Sequence, residues 1–143
     1  MFQCKKDVAV ESVVVDTYVN VSVMKNGKDM LNPTTVGGYD LASIKLAYTD
    51  DLGNSMAIST APLLYEVKGS VYYLRIFAGA DLQKSRFIDK QNIKIVWSDN
   101  SVDLVHLNLY QSSSNYLTKS ILINNKEVWN VDAKVEKNIV ITK

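Results

Sequence analysis

Thr17-Tyr18-Val19-Asn20-Val21-Ser22-Val23-Met24 decides the fold. Its valines at 19, 21 and 23 fall on one face and Asn20 and Ser22 on the other, the period of two that a half-buried strand requires. Asn26-Gly27 follows at once and accepts φ > 0 without strain, so a tight turn is expected there. Leu31-Asn32-Pro33 then leaves the ladder, because proline has no N–H to give, and Gly37-Gly38 allows a further bend.

The same period recurs downstream. Ile44, Leu46 and Tyr48 read as a strand that ends at Asp50-Asp51-Leu52-Gly53-Asn54, with Met56 and Ile58 as a short return. Leu63 to Val67 and Val71 to Phe77, joined by Lys68-Gly69-Ser70, form the clearest hairpin, while residues 79–91 read as a loop with one helical turn. Ile93, Ile95 and Trp97 alternate, Asp99-Asn100-Ser101 turns, and Val105, Leu107 and Leu109 return. Ser112-Ser113-Ser114-Asn115 is a polar loop, followed by a strand at Ile121 and Ile123, a turn at Asn124-Asn125-Lys126, a return through Val128, Trp129 and Val131, and a last strand at Ile139 and Ile141. About eight to ten short strands, with little helix and a turn roughly every ten residues, predict an all-β protein, an antiparallel immunoglobulin-like β-sandwich. With one cysteine there is no disulfide between the sheets, so Trp97 or another large side chain must fill the core.

At 143 residues the chain is expected to hold one domain over residues 9–143, with residues 1–8 as a tether or flexible segment. The net charge of +1 and the scattered basic residues disfavour nucleic acid as a partner. No stretch reaches the roughly 20 apolar residues that span a bilayer, so membrane attachment would have to run through lipid.

Sequence motifs for chemistry are sparse. His106 is the only histidine, its neighbours Val105 and Leu107 point it outward or to an edge, and no Gly-x-Ser-x-Gly element accompanies it. One cysteine and one histidine do not fill a zinc site, and no phosphate-binding loop is present, so no cofactor is expected. Asp50, Asp51 and Asn54 in one turn, and Asp99 with Asp103 about another, offer the oxygen ligands that calcium takes, but such residues are also good turn formers and lack EF-hand spacing. Tyr72 and Tyr73 are adjacent, so in a strand at most one is core; with Tyr110 and Tyr116 they are the candidates for a sugar-stacking platform.

Three segments carry a resemblance. They are Asn26 to Thr35 followed by Gly38-Tyr39-Asp40 and Ile44 to Tyr48, then Trp97-Ser98-Asp99-Asn100-Ser101-Val102-Asp103, and Ile121 to Val128. Together with Cys4-Lys5-Lys6-Asp7 near the start, they are similar to small, uncharacterised surface lipoproteins of the Bacteroides type, although Asn125 stands where glycine is expected. The resemblance implies a sandwich displayed from a bacterial cell envelope through a lipid on Cys4, periplasmic or on the outer surface, and brings no catalytic residues. Met1-Phe2-Gln3 is too short for the apolar segment that directs lipidation, and Gln3 is not small, so a free thiol at Cys4 stays open. The function expected is a non-enzymatic accessory or protein-binding module, the alternative a carbohydrate-binding module built on the exposed tyrosines.

Overall fold

The valine alternation at 19–23 becomes the strand on which the second of two sheets is built. The computed structural model describes residues 15–16, 18–49, 55–57, 63–67, 71–77, 90–112 and 115–143. Cys4, the segment 1–8, the turn with Asp50, Asp51 and Asn54, Ile58, and residues 79–89 of the loop expected at 79–91 lie outside the described residues, while Lys90 and Gln91 begin a strand. The strands are β1 (Val15–Asp16), β2 (Tyr18–Lys25), β3 (Lys28–Asp29), β4 (Lys45–Thr49), β5 (Ser55–Ala57), β6 (Leu63–Val67), β7 (Val71–Phe77), β8 (Lys90–Val96), β9 (Val102–Ser112), β10 (Asn115–Ile123), β11 (Lys126–Asn130) and β12 (Asn138–Thr142). One sheet runs β1-β10-β9-β8-β4-β5 with β11 also on β10, and the other runs β12-β2-β7-β6 with β3 also on β2. The protein is therefore all-β and two-sheeted, and among the described residues its helical content is confined to short 3-10 turns such as Leu41–Ser43 and Val131–Ala133. No helix among those residues is long and apolar enough to cross a membrane.

Among the described residues eight of the ten strand pairings are antiparallel, but β1 joins β10 and β12 joins β2 in parallel. The parallel pairs follow from how edges are filled. β7 takes one edge of β2 along residues 18–21 and β3 takes the same edge at 24–25, so the chain arriving from β11 in the other sheet lays β12 along the remaining edge. Asp29 closes the junction between β3 and β7, its Oδ2 accepting from the Tyr72 N–H at 2.9 Å and its Oδ1 from the Leu31 N–H at 3.1 Å.

β2 is also buried on both faces and not on one. Val19, Val21 and Val23 are fully enclosed in the core, each worth roughly 1.5–3 kcal/mol of burial. Asn20 and Ser22, on the face expected to meet solvent, are only 2% and 0% exposed. Asn20 can be buried because its amide is used: Nδ2 donates to Asn138 Oδ1 at 2.8 Å, and Oδ1 accepts from Arg75 Nε at 2.9 Å. The inward faces of both sheets meet in one core that includes Leu31, Leu74, Ile76, Ile93, Ile95, Trp97, Leu107 and Ile121.

Turn chemistry fixes the registers. Lys25 pairs with Lys28 across Asn26 and Gly27, at φ 53° and 77°. Ile123 pairs with Lys126 across Asn124 and Asn125, at φ 51° and 71°, so asparagine serves where glycine was expected. A Cβ at Gly27 would meet nothing within 4 Å, so its replacement tests backbone conformation alone. Gly27→Ala is expected to lower the unfolding free energy by about 1–2 kcal/mol, seen as a lower urea midpoint at unchanged slope, whereas Asn125→Gly should leave stability unchanged or raised.

Candidate functional site

Among the described residues, chemistry-bearing side chains gather in three places: the corner at the β8–β9 turn, the outward face of β9, and the seam where the chain passes from β11 to β12.

At the corner, Trp97 follows β8 and opens a tight turn, with its N–H donating to the Ser101 carbonyl, its own carbonyl accepting from Asn100 N–H, and Asn100 at φ 69°. This directs the fully buried indole inward, where it stacks on Tyr39 at 5.3 Å and donates from Nε1 to Asp103 Oδ2 at 2.6 Å. Asp103 Oδ1 accepts from Asn124 Nδ2 at 2.9 Å, and Lys143 Nζ lies 3.0 Å from Oδ2. Burial pushes the Asp103 carboxyl up, but the bonds from Asn124, Lys143 and Trp97 outweigh it and hold the group below the usual carboxylate range. Asp99 is also lowered, first by the Ser101 hydroxyl, and its Oδ2 sits 3.7 Å from Lys25 Nζ. The Tyr39 hydroxyl is closed to solvent near Asp99 and Ser101, yet neither has hydrogen-bonding geometry to it; burial, with the charges of Asp99 and Asp103, raises its pKa.

This arrangement explains what Asp99 and Asp103 do. Both are satisfied by N–H, O–H and ammonium donors, so calcium at Asp103 would have to displace Lys143 from a nearly buried carboxylate. Among the described residues no group of three or more metal-ligating side chains gathers.

On the outward face of β9, His106 lies between two amides, Nδ1 on Asn92 Oδ1 and Nε2 on Asn108 Oδ1, and Asn108 Nδ2 donates to Ser120 Oγ at 2.8 Å. The outward direction expected for the histidine is what the strand gives it. Tyr110 lies further along the same face of β9, half-buried, and Tyr116 stands on β10 opposite Gln111. Tyr72 and Tyr73 belong to the other sheet: Tyr72 packs against the core and Tyr73 is only 8% exposed on the opposite face. Tyr72 and Tyr73 therefore lie in a different sheet from Tyr110 and Tyr116.

At the seam, β11 edges one sheet and β12 the other, and residues 131–137 cross between them. Trp129 pairs with Ile121 and packs against the core, and its Nε1 donates to the Val135 carbonyl at 3.0 Å, which fixes the indole to the crossing segment. Tyr18 lies at the start of β2, with Arg75 Cζ at 4.4 Å and Lys137 Nζ at 4.1 Å from its ring centre. Lys137 is nearly buried, and its Nζ reaches Thr118 Oγ1 at 3.4 Å. Between them opens a hollow of about 690 Å³ lined by Tyr18, Trp129, Lys134, Val135, Glu136 and Lys137. None of these residues stands out as a site in the sequence. Trp129 reads as one more strand residue, and only the crossing from sheet to sheet brings Tyr18 to a segment more than a hundred positions away.

No protein-family model, curated protein or solved structure matches the chain. The functional reading therefore rests on the sequence and this geometry.

The corner yields a pH test. A depressed carboxyl contributes stability that is complete above the unfolded-chain value of about 3.9 and is lost as the pH falls through the lower folded value. Asp103→Ala leaves the Trp97 N–H, Asn124 and Lys143 without their acceptor and is expected to cost roughly 3 kcal/mol at neutral pH. It should also flatten the acid limb of the stability profile measured by urea unfolding between neutral pH and pH 2.

Proposed function

We propose that this chain is a non-enzymatic binding module of a bacterial envelope, held to the membrane by a lipid on Cys4. The observation that carries the binding reading is the seam hollow, an open depression lined by two positioned aromatic rings and a few polar groups. Support for a non-enzymatic role comes from the polar clusters elsewhere. The ring nitrogens of His106 are engaged by two asparagines. The carboxylate of Asp103 is engaged by Trp97, Asn124 and Lys143, an arrangement that ties elements together.

The envelope part of the proposal rests on Cys4-Lys5-Lys6-Asp7 and on the three segments that resemble Bacteroides-type lipoproteins. The immunoglobulin-like form of the sandwich belongs to the same proposal. Of the two binding readings, the hollow favours a saccharide over a protein, because an aromatic ring beside charged groups matches a sugar's apolar face and hydroxyl rim. The site of contact then moves from Tyr72, Tyr73, Tyr110 and Tyr116 to Tyr18 and Trp129.

Expression from the complete gene in a host that lipidates tests the anchor. The expected product carries a lipid mass on Cys4 and enters the detergent phase, and Cys4→Ser abolishes both. An unmodified, water-soluble wild-type product would contradict the envelope reading.

A further inference from the structure

We infer that β12 is a docking edge for a second copy of this chain, the two β12 strands pairing antiparallel about a two-fold axis at Val140. The ladder that holds β12 leaves half of its backbone groups open. The Asn20 N–H donates to the Lys137 carbonyl and the Lys143 N–H to the Met24 carbonyl, and the register runs unbroken from Asn138 opposite Asn20 to Thr142 opposite Met24. In a parallel ladder of this phase the odd-numbered residues of β12 bond to β2. Asn138, Val140 and Thr142 therefore turn their N–H and C=O groups to the other side, where no strand among the described residues pairs with β12. Open groups on alternate residues of a straight strand are a template for one more strand.

The usual protections of an edge are missing here. Asn138-Ile139-Val140-Ile141-Thr142 holds no charge and no proline, and its pairing with β2 shows no bulge. The other outer strands among the described residues differ: β1, β3 and β5 have two or three residues, β6 carries Glu66, and β11 carries Lys126 and Glu127. Val140, in the middle of the open row, is 50% exposed between the core residues Ile139 and Ile141.

A second copy fits because the open row is its own complement. With Val140 of one copy opposite Val140 of the other, Asn138 falls opposite Thr142, and the N–H and C=O of all three residues find partners. A copy shifted along the strand would leave part of the row open. Ile139 and Ile141 stay in their own cores, while the two Val140 side chains cover each other on the outer face, a β-branched cross-strand pair. An unrelated peptide would make the same backbone bonds, but nothing on β12 selects its side chains. One strand pair buries less area than a stable dimer needs, so the association is weak and depends on concentration.

Sedimentation equilibrium of the full chain, with Cys4 kept reduced so that it cannot link two copies, tests the pairing from about 10 µM to about 1 mM. The average mass is expected to rise from 16.0 kDa toward twice that value. Val140→Pro removes an N–H that does not face β2, so it should weaken association about ten-fold or more and leave the melting temperature of the monomer unchanged. Val140→Lys and Val140→Glu each place like charges across the two-fold axis. Either alone should weaken association about ten-fold, whereas their equimolar mixture should associate at least as well as the wild type. A wild-type mass of 16.0 kDa at every concentration would overturn the inference. Association that survives all three substitutions would overturn it too, because the contact would then lie elsewhere, and so would a mixture that stays as weak as its components.

Discussion

The structure depends on one buried carboxylate. Asp103 receives Trp97 from the end of β8, Asn124 from the β10–β11 turn and Lys143 from beyond β12, so a single side chain ties both sheets together at one end. Neighbouring contacts reinforce it: the Leu104 N–H donates to Asn124 Oδ1, the Asn124 N–H to the Leu104 carbonyl, and the Lys143 N–H to the Met24 carbonyl. A carboxylate that is only 4% exposed would be costly if unpaired. Here its cost is offset by directional donors, and the geometry those donors require specifies how the strands end.

Fixing that end determines where the hollow can form. β2 and β12 run in parallel away from Tyr18 and Lys137 toward the corner, so the seam site lies at their other end, roughly 20 Å away at the usual rise per residue. With Lys143 held at the corner and β12 held along β2, residues 131–137 must bridge the sheets over a set distance. Trp129 pins that bridge through Val135, and Tyr18 meets it with its two cations. The corner and the hollow share no residue, so a substitution in the hollow need not disturb the corner.

Much of the fold was legible because period two is a strong signal. Val19, Val21 and Val23, the hairpin at 63–77, and the pairs Ile93 with Ile95 and Leu107 with Leu109 each announce a strand through alternation. The turn at Asn26-Gly27 was equally legible, since φ > 0 selects those residues. The two-residue strands β1 and β3 are too short to show any period, and the first half of β10, Asn115 to Ser120, carries too many polar residues to look like a strand. The parallel direction of β12 was hidden because it depends on which edge of β2 is left open. Trp97 as core filler was readable from the missing disulfide, but its bond to Asp103, six residues away, concealed itself as a turn-forming aspartate. The seam site was illegible for another reason: Tyr18 and Trp129 each look ordinary in their own strand, and only tertiary crossing brings them together.

Hydrogen exchange at the two indole N–H groups, followed by NMR on the full chain, tests most directly whether the Asp103 cluster is the tie on which the fold depends. If it is, the Trp97 Nε1 proton exchanges only through global unfolding, with a protection free energy equal to the stability measured by urea, while the Trp129 proton exchanges through smaller local openings of the crossing segment. A Trp97 proton that exchanges as readily as that of Trp129 would contradict the account, because the corner would then open while the rest of the sandwich stayed folded.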